Sequence, residues 1–321
     1  MSLGLLLGGA VTDLGSWRWT LFINIPIGIA VLSLTRRVLV ETPLRPGRFD
    51  VVGALAATLG SVSIVWALIG APEHGWGSAR TIGGLALGGL LLVVLALTET
   101  RVAHPMIQPV LLRSRRRVSG LGIIALVVGG QMSMFFLAVQ YLEGELGFGP
   151  LTTGLAFLPL TLVIGVSAHA GQRLLGRLAP RSIISAGLVT VAGGYLLLAQ
   201  APAGASYMAD LLPGFLLIGA GIGLVFVAVS VTGMSEVEHR QAGLASGLMT
   251  TGHEVGAALG AAVFSAVALG PVGEIGGSAA IAAGYTDAAT VGAAIAAGLA
   301  VLAALILPGE RISAGARPAM H

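Results

Sequence analysis

The sequence predicts an all-α integral membrane bundle of about ten transmembrane helices. Three observations lead there. Mean hydropathy is +0.94. Only 10% of the 321 residues are charged, against about 25% in soluble domains. Apolar runs recur at the length, about 20 residues, that carries a helix across a hydrocarbon core of about 30 Å. A chain this apolar has too few polar side chains to cover its surface in water. That excludes a soluble enzyme, a disordered chain and a nucleic-acid module, and makes the lipid bilayer the first expected partner.

Taken in order, the spans are 2–12, 19–35, 51–70, 81–98, 118–142, 151–171, 182–200, 207–232, 242–269 and 288–307. Prolines punctuate the breaks: Pro43 and Pro46, Pro72, Pro105 and Pro109, Pro150, Pro180, Pro202 and Pro271. The first span is anomalous. At about 1.5 Å per residue it reaches only part of the way across a bilayer, and it has no basic stretch or small-residue cleavage pattern of a signal peptide. It reads as the outer end of a longer helix. All 17 basic residues are Arg, a bias that reflects GC-rich codons and gives no reason to expect nucleic acid. With these spans, 15 Arg fall on one side, and only Arg18 and Arg80 on the other. The positive-inside rule then makes the Arg-rich loops and the C-terminus cytoplasmic. Glu143, Glu145, Glu274, Asp287 and the segment 13–19 fall outside, where Trp17, Trp19 and Trp76 match an interfacial aromatic belt.

The opening stretch GLLLGGAVTDLGSWRWTLFINIPIGIAVL is the most specific. It resembles the fifth and sixth spans of the major facilitator superfamily, in particular its fourteen-span drug:proton antiporter family of the EmrB/QacA type. The family's antiporter motif and the residues after it are matched by Gly4, Gly8, Gly9, Asp13, Trp17, Arg18, Trp19, Phe22, Asn24 and Pro26; Leu5 stands where the family has Pro. FFLAVQYLEGELGFGPLTTGLAFLPL, LLPGFLLIGAGIGLVF and AGLASGLMTTGHEVGAALGAAVF are similar to later helices of the family. The loop AGQRLLGRLAPRS resembles a degraded cytoplasmic motif, with Gly176 where the acid belongs. The resemblance implies a major-facilitator-type bundle comprising spans five to fourteen of fourteen, with a four-span segment missing from the front. It divides the chain into 1–35, a remnant of the N-terminal bundle; 36–117, a central two-span insert with basic cytoplasmic loops; 118–308, the C-terminal six-helix bundle; and 309–321, a cytoplasmic tail.

Several residues stand out against this apolar background. Glycines recur four apart, as in Gly4–Gly8, Gly84–Gly88, Gly219–Gly223 and Gly252–Gly256–Gly260, the spacing that lets helices approach closely in lipid. They serve either tight packing or a seam that rocks during transport. His253 and Glu254 are adjacent ionisable residues midway along a span, where a charge costs at least about 2.5 kcal/mol. At 100° per residue, Gly252, Gly256 and Gly260 share one face and Glu254 falls near the opposite face with Thr250. The pair is either a proton-exchanging part of the transport path or a structural hydrogen-bonded pair. Gln131 sits mid-helix and faces the bundle interior; with Asn24, Gln140, Glu143, Thr250, His253 and Glu254 it makes up the candidate substrate and proton path. Gln140 and Glu143 approach the outer surface, where the acid either attracts cations or is simply solvated. Asn24 with Pro26 marks a bend.

The function implied by the resemblance is proton-coupled efflux of small hydrophobic or cationic drugs by alternating access, with small-molecule substrate and protons as partners. The missing segment would impair the chain acting alone. The alternative is a non-transporting remnant or partner subunit assembling through glycine-rich faces. Cys is absent, which removes disulfides and thiolate chemistry, and there is no phosphate loop, zinc signature or Gly-x-Ser-x-Gly elbow. The sequence thus predicts no enzyme, no catalytic residue, no cofactor and no metal site.

Overall fold

A computed structural model describes residues 2–38, 50–99, 115–202, 204–234, 242–269, 277–307 and 309. The expected basic loops around residues 39–49, 100–114 and 235–241, and residues 310–321 of the tail, lie outside them. The described elements are helical: α1 (Ser2–Leu14), α2 (Trp17–Phe22), α3 (Asn24–Val38), α4 (Val51–His74), α5 (Ala79–Glu99), α6 (Arg115–Gly144), α7 (Pro150–Ala156), α8 (Leu158–Leu175), α9 (Pro180–Leu198), a π-helical turn (Tyr207–Leu211), α10 (Leu212–Met234), α11 (Ala242–Leu269) and α12 (Gly277–Ile306). Among the described residues, 8 helical stretches are long and apolar enough to cross a membrane. The two predicted spans outside that set are α1, short at 13 residues, and α11, long enough at 28 residues but interrupted by His253 and Glu254.

Three boundaries differ from the sequence reading, each for a local reason. The second span is broken at Ile23, just before Pro26, whose ring cannot donate to the preceding turn. The sixth is broken at Phe157, two residues before Pro159. The last helix starts at Gly277 rather than near residue 288. Alanine carries the helix N-terminally through this stretch, so Asp287 lies on the helix, exposed, instead of in a loop.

In lipid, apolar faces gain nothing by hiding from each other, so close backbone packing must hold the helices together. Helices α6 and α11 run parallel in a fixed register. Gly252 faces Leu121, Gly256 lies on the Ala125 backbone, and Gly260 lies on the Gly129 backbone, one turn apart each time. A Cβ on Gly256 would collide with the Ala125 carbonyl, and one on Gly260 with the Gly129 carbonyl. Helices α9 and α10 use a second seam. A Cβ on Gly187 would sit 2.8 Å from the Gly221 carbonyl oxygen, and one on Gly194 would sit 2.7 Å from that of Gly214. The other side of α10 packs on α8, where the buried Ser167 hydroxyl donates to the Gly219 carbonyl at 3.2 Å. Helix α10 is thus apolar all round and packed between two neighbours, as expected of a fully enclosed helix.

Helices α6 to α12 enclose two apolar clusters. One, at the end bearing Arg181, contains Ile184, Leu188, Val225, Val229 and Ala303. The other, toward the opposite end, contains Tyr141, Phe157, Tyr195, Phe215 and Tyr285. Helices α4 and α5 form a hairpin that leans on α11 through α4. Its turn is set by Gly75, at φ 89° and ψ 142°, and tied by Thr81 Oγ1 donating to the Gly75 carbonyl at 3.1 Å. Arg80 lies over the Trp66 ring at 4.1 Å and donates to His74 Nε2 at 2.7 Å. Because arginine only donates, that nitrogen accepts, and His74 Nδ1 faces the Gly70 carbonyl at 3.1 Å as donor. Helix α1 rests on α7, with Gly9 against the Pro150 carbonyl. The stretch Trp17–Thr35 buries none of its surface.

The seams make opposite predictions for glycines of the same helix. Gly256→Ala forces a methyl into the α6 backbone and lowers stability by about 1–3 kcal/mol. Gly247→Ala, where nothing lies within 4 Å, leaves stability unchanged or raises it by up to about 1 kcal/mol. Thermal unfolding of the purified protein in detergent, followed by helical circular dichroism, separates the two; equal melting temperatures would contradict the seam. At the hairpin, Gly75→Ala places a side chain in a backbone region open essentially to glycine alone and costs about 1–3 kcal/mol, read in the same assay.

Candidate translocation site

Helix α6 carries two glutamines, and the structure separates them. Nine residues at 100° each is half a turn, so Gln131 and Gln140 occupy opposite faces. Gln131 points away from the glycine seam, into a small pocket shared with Met134 and Phe135 of α6, Phe157 at the α7–α8 break, Phe215 of α10 and Tyr195 of α9. The break at Phe157 aims its ring inward. Pro159 denies the preceding turn one hydrogen bond, and Thr161 N donates to the Phe157 carbonyl at 3.1 Å to restart the helix.

The pocket belongs to a continuous aromatic run. Phe135 and Phe157 have ring centroids 4.2 Å apart, Phe157 and Phe215 5.6 Å, Phe215 and Tyr207 6.4 Å, and Tyr207 and Phe148 6.2 Å. These spacings suit stacked or tilted aromatic pairs. The run extends from the loop after α6 to the middle of the bundle. The π-helical turn at Tyr207–Leu211 places Tyr207 in it, and the Tyr207 hydroxyl is fixed by donating to the Ala156 carbonyl. The run draws on four separate stretches of chain, so no periodicity within one helix announces it. The signal in the sequence is limited to hydroxyl-bearing rings inside apolar spans, Tyr195 and Tyr285 among them.

Gln140 lies on the other face, in a cleft with Phe136, Ser265 and Tyr285. Glu143 is exposed near the end of α6. On α11, Glu254 lies on the side away from α6, and His253 sits on the flank between Glu254 and the glycine seam. The side chains are 34% and 71% exposed, and His253 Nδ1 lies 3.3 Å from Glu254 Oε1. Thr250, also exposed, donates to the Ser246 carbonyl at 3.0 Å and so satisfies itself within the helix. Glu254 is 71% exposed and lines neither the pocket at Gln131 nor the cleft at Gln140.

The motif residues of α1 to α3 separate as well. Gly4 and Gly8 have nothing within 4 Å, whereas Gly9 abuts Pro150. Asp13 is exposed, and its Oδ1 lies 3.8 Å from where a Gly149 Cβ would stand, so its charge faces the positive end of the α7 dipole. Ser16 caps α2 by accepting from Arg18 N at 3.4 Å, and the Arg18 guanidinium lies 4.9 Å from the centre of the Trp17 ring. Asn24 Nδ2 donates to the Thr20 carbonyl at 3.4 Å across the break at Ile23. Among the described residues, no three acidic, His or Cys side chains gather as a metal site.

Comparison with known proteins gives a consistent assignment. The profile of the Major Facilitator Superfamily matches residues 1–261. The puromycin resistance protein pur8 of Streptomyces alboniger is 37% identical over 275 residues, which is 84% of this chain and 54% of that protein. The cephamycin export protein CmcT of Amycolatopsis lactamdurans is 35% identical over 297 residues, 89% of this chain and 59% of its own. The multidrug resistance protein Stp of Mycobacterium tuberculosis is 31% identical over 265 residues, 82% and 49% respectively. The chain spans about half the length of the curated relatives it matches. With its multi-pass helical bundle and this match over most of its length, the chain belongs to the Major Facilitator Superfamily.

Proposed function

We propose that the protein works as a secondary transporter that expels small hydrophobic or cationic molecules in exchange for protons, by alternating access, in a bacterial inner membrane with its C-terminus cytoplasmic. The relatives named for puromycin resistance, cephamycin export and multidrug resistance support efflux, and the 15-to-2 division of Arg between the two sides supports the orientation. The chain divides into 1–35, 36–117, 118–308 and 309–321, the third part carrying the substrate pocket.

The observation that carries the mechanism is Glu254, midway along a membrane-length helix and 71% exposed on the side away from the glycine seam. A carboxylate does not face hydrocarbon at that depth, so this side of α11 adjoins water or a polar partner. Glu254, with His253 beside it, takes up and releases the proton. Substrate occupies the aromatic pocket at Gln131, with Glu143 near its entrance. The α6–α11 seam, smooth because it is glycine against backbone, lies between the two and passes the movement of one to the other. Gly9, against the Pro150 backbone, and Asp13, at the start of α7, tie α1 to the rest of the bundle, and Gly4, Gly8 and Arg18 complete the antiporter motif, with a hinge at Asn24.

Membrane vesicles containing the protein, loaded with ethidium and given a pH gradient, test this. The unmodified protein moves the dye faster as the gradient steepens. Glu254→Gln lowers the gradient-driven rate about tenfold or more and removes its pH dependence, while Glu254→Asp retains part of it. Identical rates for the unmodified protein and Glu254→Gln at every pH would overturn the proton role.

A further inference from the structure

We propose that the cleft between α6, α11 and α12 is a binding site for an uncharged amphiphile, one that joins an aromatic or hydrocarbon body to a hydrogen-bonding group such as an amide or hydroxyl. The cleft exists because the glycine seam ends. The register that pairs Ala125 with Gly256 and Gly129 with Gly260 next brings Ser133 opposite Phe264, a buried ring that no longer lets the backbones touch. Beyond it the side chains of α6 and α11 leave an opening, and α12 lines its other side. There the Tyr141 and Tyr285 rings lie 4.9 Å apart, and Ile281 Cδ1 would sit 3.6 Å from a Gly144 Cβ. The opening has a volume of about 250 Å³, continuous with the surroundings, between Phe136, Leu137, Gln140, Ser265, Ile281 and Tyr285.

Its polar groups are the second observation. Several serines and threonines inside spans satisfy their hydroxyls on the carbonyl one turn back, as Ser133 does at 2.6 Å, Ser167 at 2.7 Å and Thr232 at 2.7 Å. Among the described residues, Ser265 and Gln140 make no such bond, and the oxygen of Tyr285, a residue only 2% exposed, is buried without a partner. Helices α6 and α11 thus bring two unpaired polar side chains, Gln140 and Ser265, to one apolar opening that the Tyr285 ring of α12 also lines. Polar groups there go unpaired only at a cost, and a ligand that carries both donor and acceptor satisfies them. No charged side chain lines the cleft, so nothing there compensates an ion for losing water. The site is on the face of α6 opposite Gln131, so it is separate from the substrate pocket and does not depend on transport.

Binding of N-phenyl-1-naphthylamine, an uncharged aromatic amine, to the purified protein in lipid nanodiscs tests this without any gradient, so its failure is separable from that of the transport reading. The unmodified protein gives a saturable fluorescence rise above empty nanodiscs. Gln140→Leu, on the exposed side of the cleft, and Ser265→Leu, which fills it, each weaken binding about fivefold or more. Leu162→Ala, on a distant exposed face of α8, does not. Tetraphenylphosphonium, a cation of similar aromatic bulk, does not compete. An unchanged dissociation constant in both cleft variants, equal competition by the cation, or no saturable signal overturns the proposal. A Phe136→Trp reporter addresses ordinary lipid. If brominated phosphatidylcholine quenches it equally with and without the amine, the cleft holds bilayer lipid and the proposal is wrong.

Discussion

Close approach of helix backbones is the constraint on which the structure depends. In water a six-helix bundle would be held by the transfer of apolar side chains out of solvent. In lipid that term vanishes between helices, and the surfaces of α3, α4 and α5 keep large apolar residues such as Leu32, Val62 and Leu90 facing outward without penalty. What remains is dispersion and the few hydrogen bonds that cross between helices, both of which need short distances. Glycine supplies the distance. Where Gly187 meets Gly221 and Gly194 meets Gly214, the pair recurs after two turns on each helix, so α9 and α10 stay in contact across most of the membrane. Where Gly256 and Gly260 meet Ala125 and Gly129, glycine-on-backbone contact gives way one turn later to the buried Phe264 ring.

That difference shapes what each part can do. The α9–α10 pair also packs against α8 and α12, and its polar side chains are tied to carbonyls, as Thr190 is to Ala186 and Ser185 to Ala300. It behaves as a rigid wall. The α6–α11 pair has polar residues around its seam: Gln131 on one face of α6, Gln140 on the other, His253 on the flank of α11 and Glu254 on its far side. A smooth seam flanked by polar groups can slide at little steric expense, because glycine against backbone has no side chain to interlock. An interdigitated seam of Leu and Ile would have two or more discrete arrangements with a barrier between them.

Much of the helix plan was legible in the sequence because hydrophobic length and Arg placement are properties of one stretch at a time. The face shared by Gly252, Gly256 and Gly260 was legible too, since it follows from 100° per residue. Two things were not. Proline signalled that the chain bends near residues 26 and 159, but not that the second break turns the Phe157 ring into a pocket, because this depends on where α6 and α10 lie. Helix α12 was read as starting after Asp287. A single acid in an alanine-rich stretch does not stop a helix whose other residues favour it, and the span extended past it.

The polar residues show the same limit more sharply. Sequence placed Gln131, Gln140 and Glu254 in apolar spans and gave each a depth; grouping them into one path assumed that depth implies proximity. Depth is a coordinate along the membrane normal, whereas the face is set by which neighbour the helix chooses. Once α11 is fixed on the Gly129 side of α6, Gln131 must point toward Phe157 and Phe215, Gln140 toward Ser265 and Tyr285, and Glu254 away from both. The glycines, which carry no chemistry of their own, therefore decide where the chemistry of the other side chains is delivered. A change that moved the seam by one residue would turn each of these side chains by 100°, closing the aromatic pocket and the cleft together.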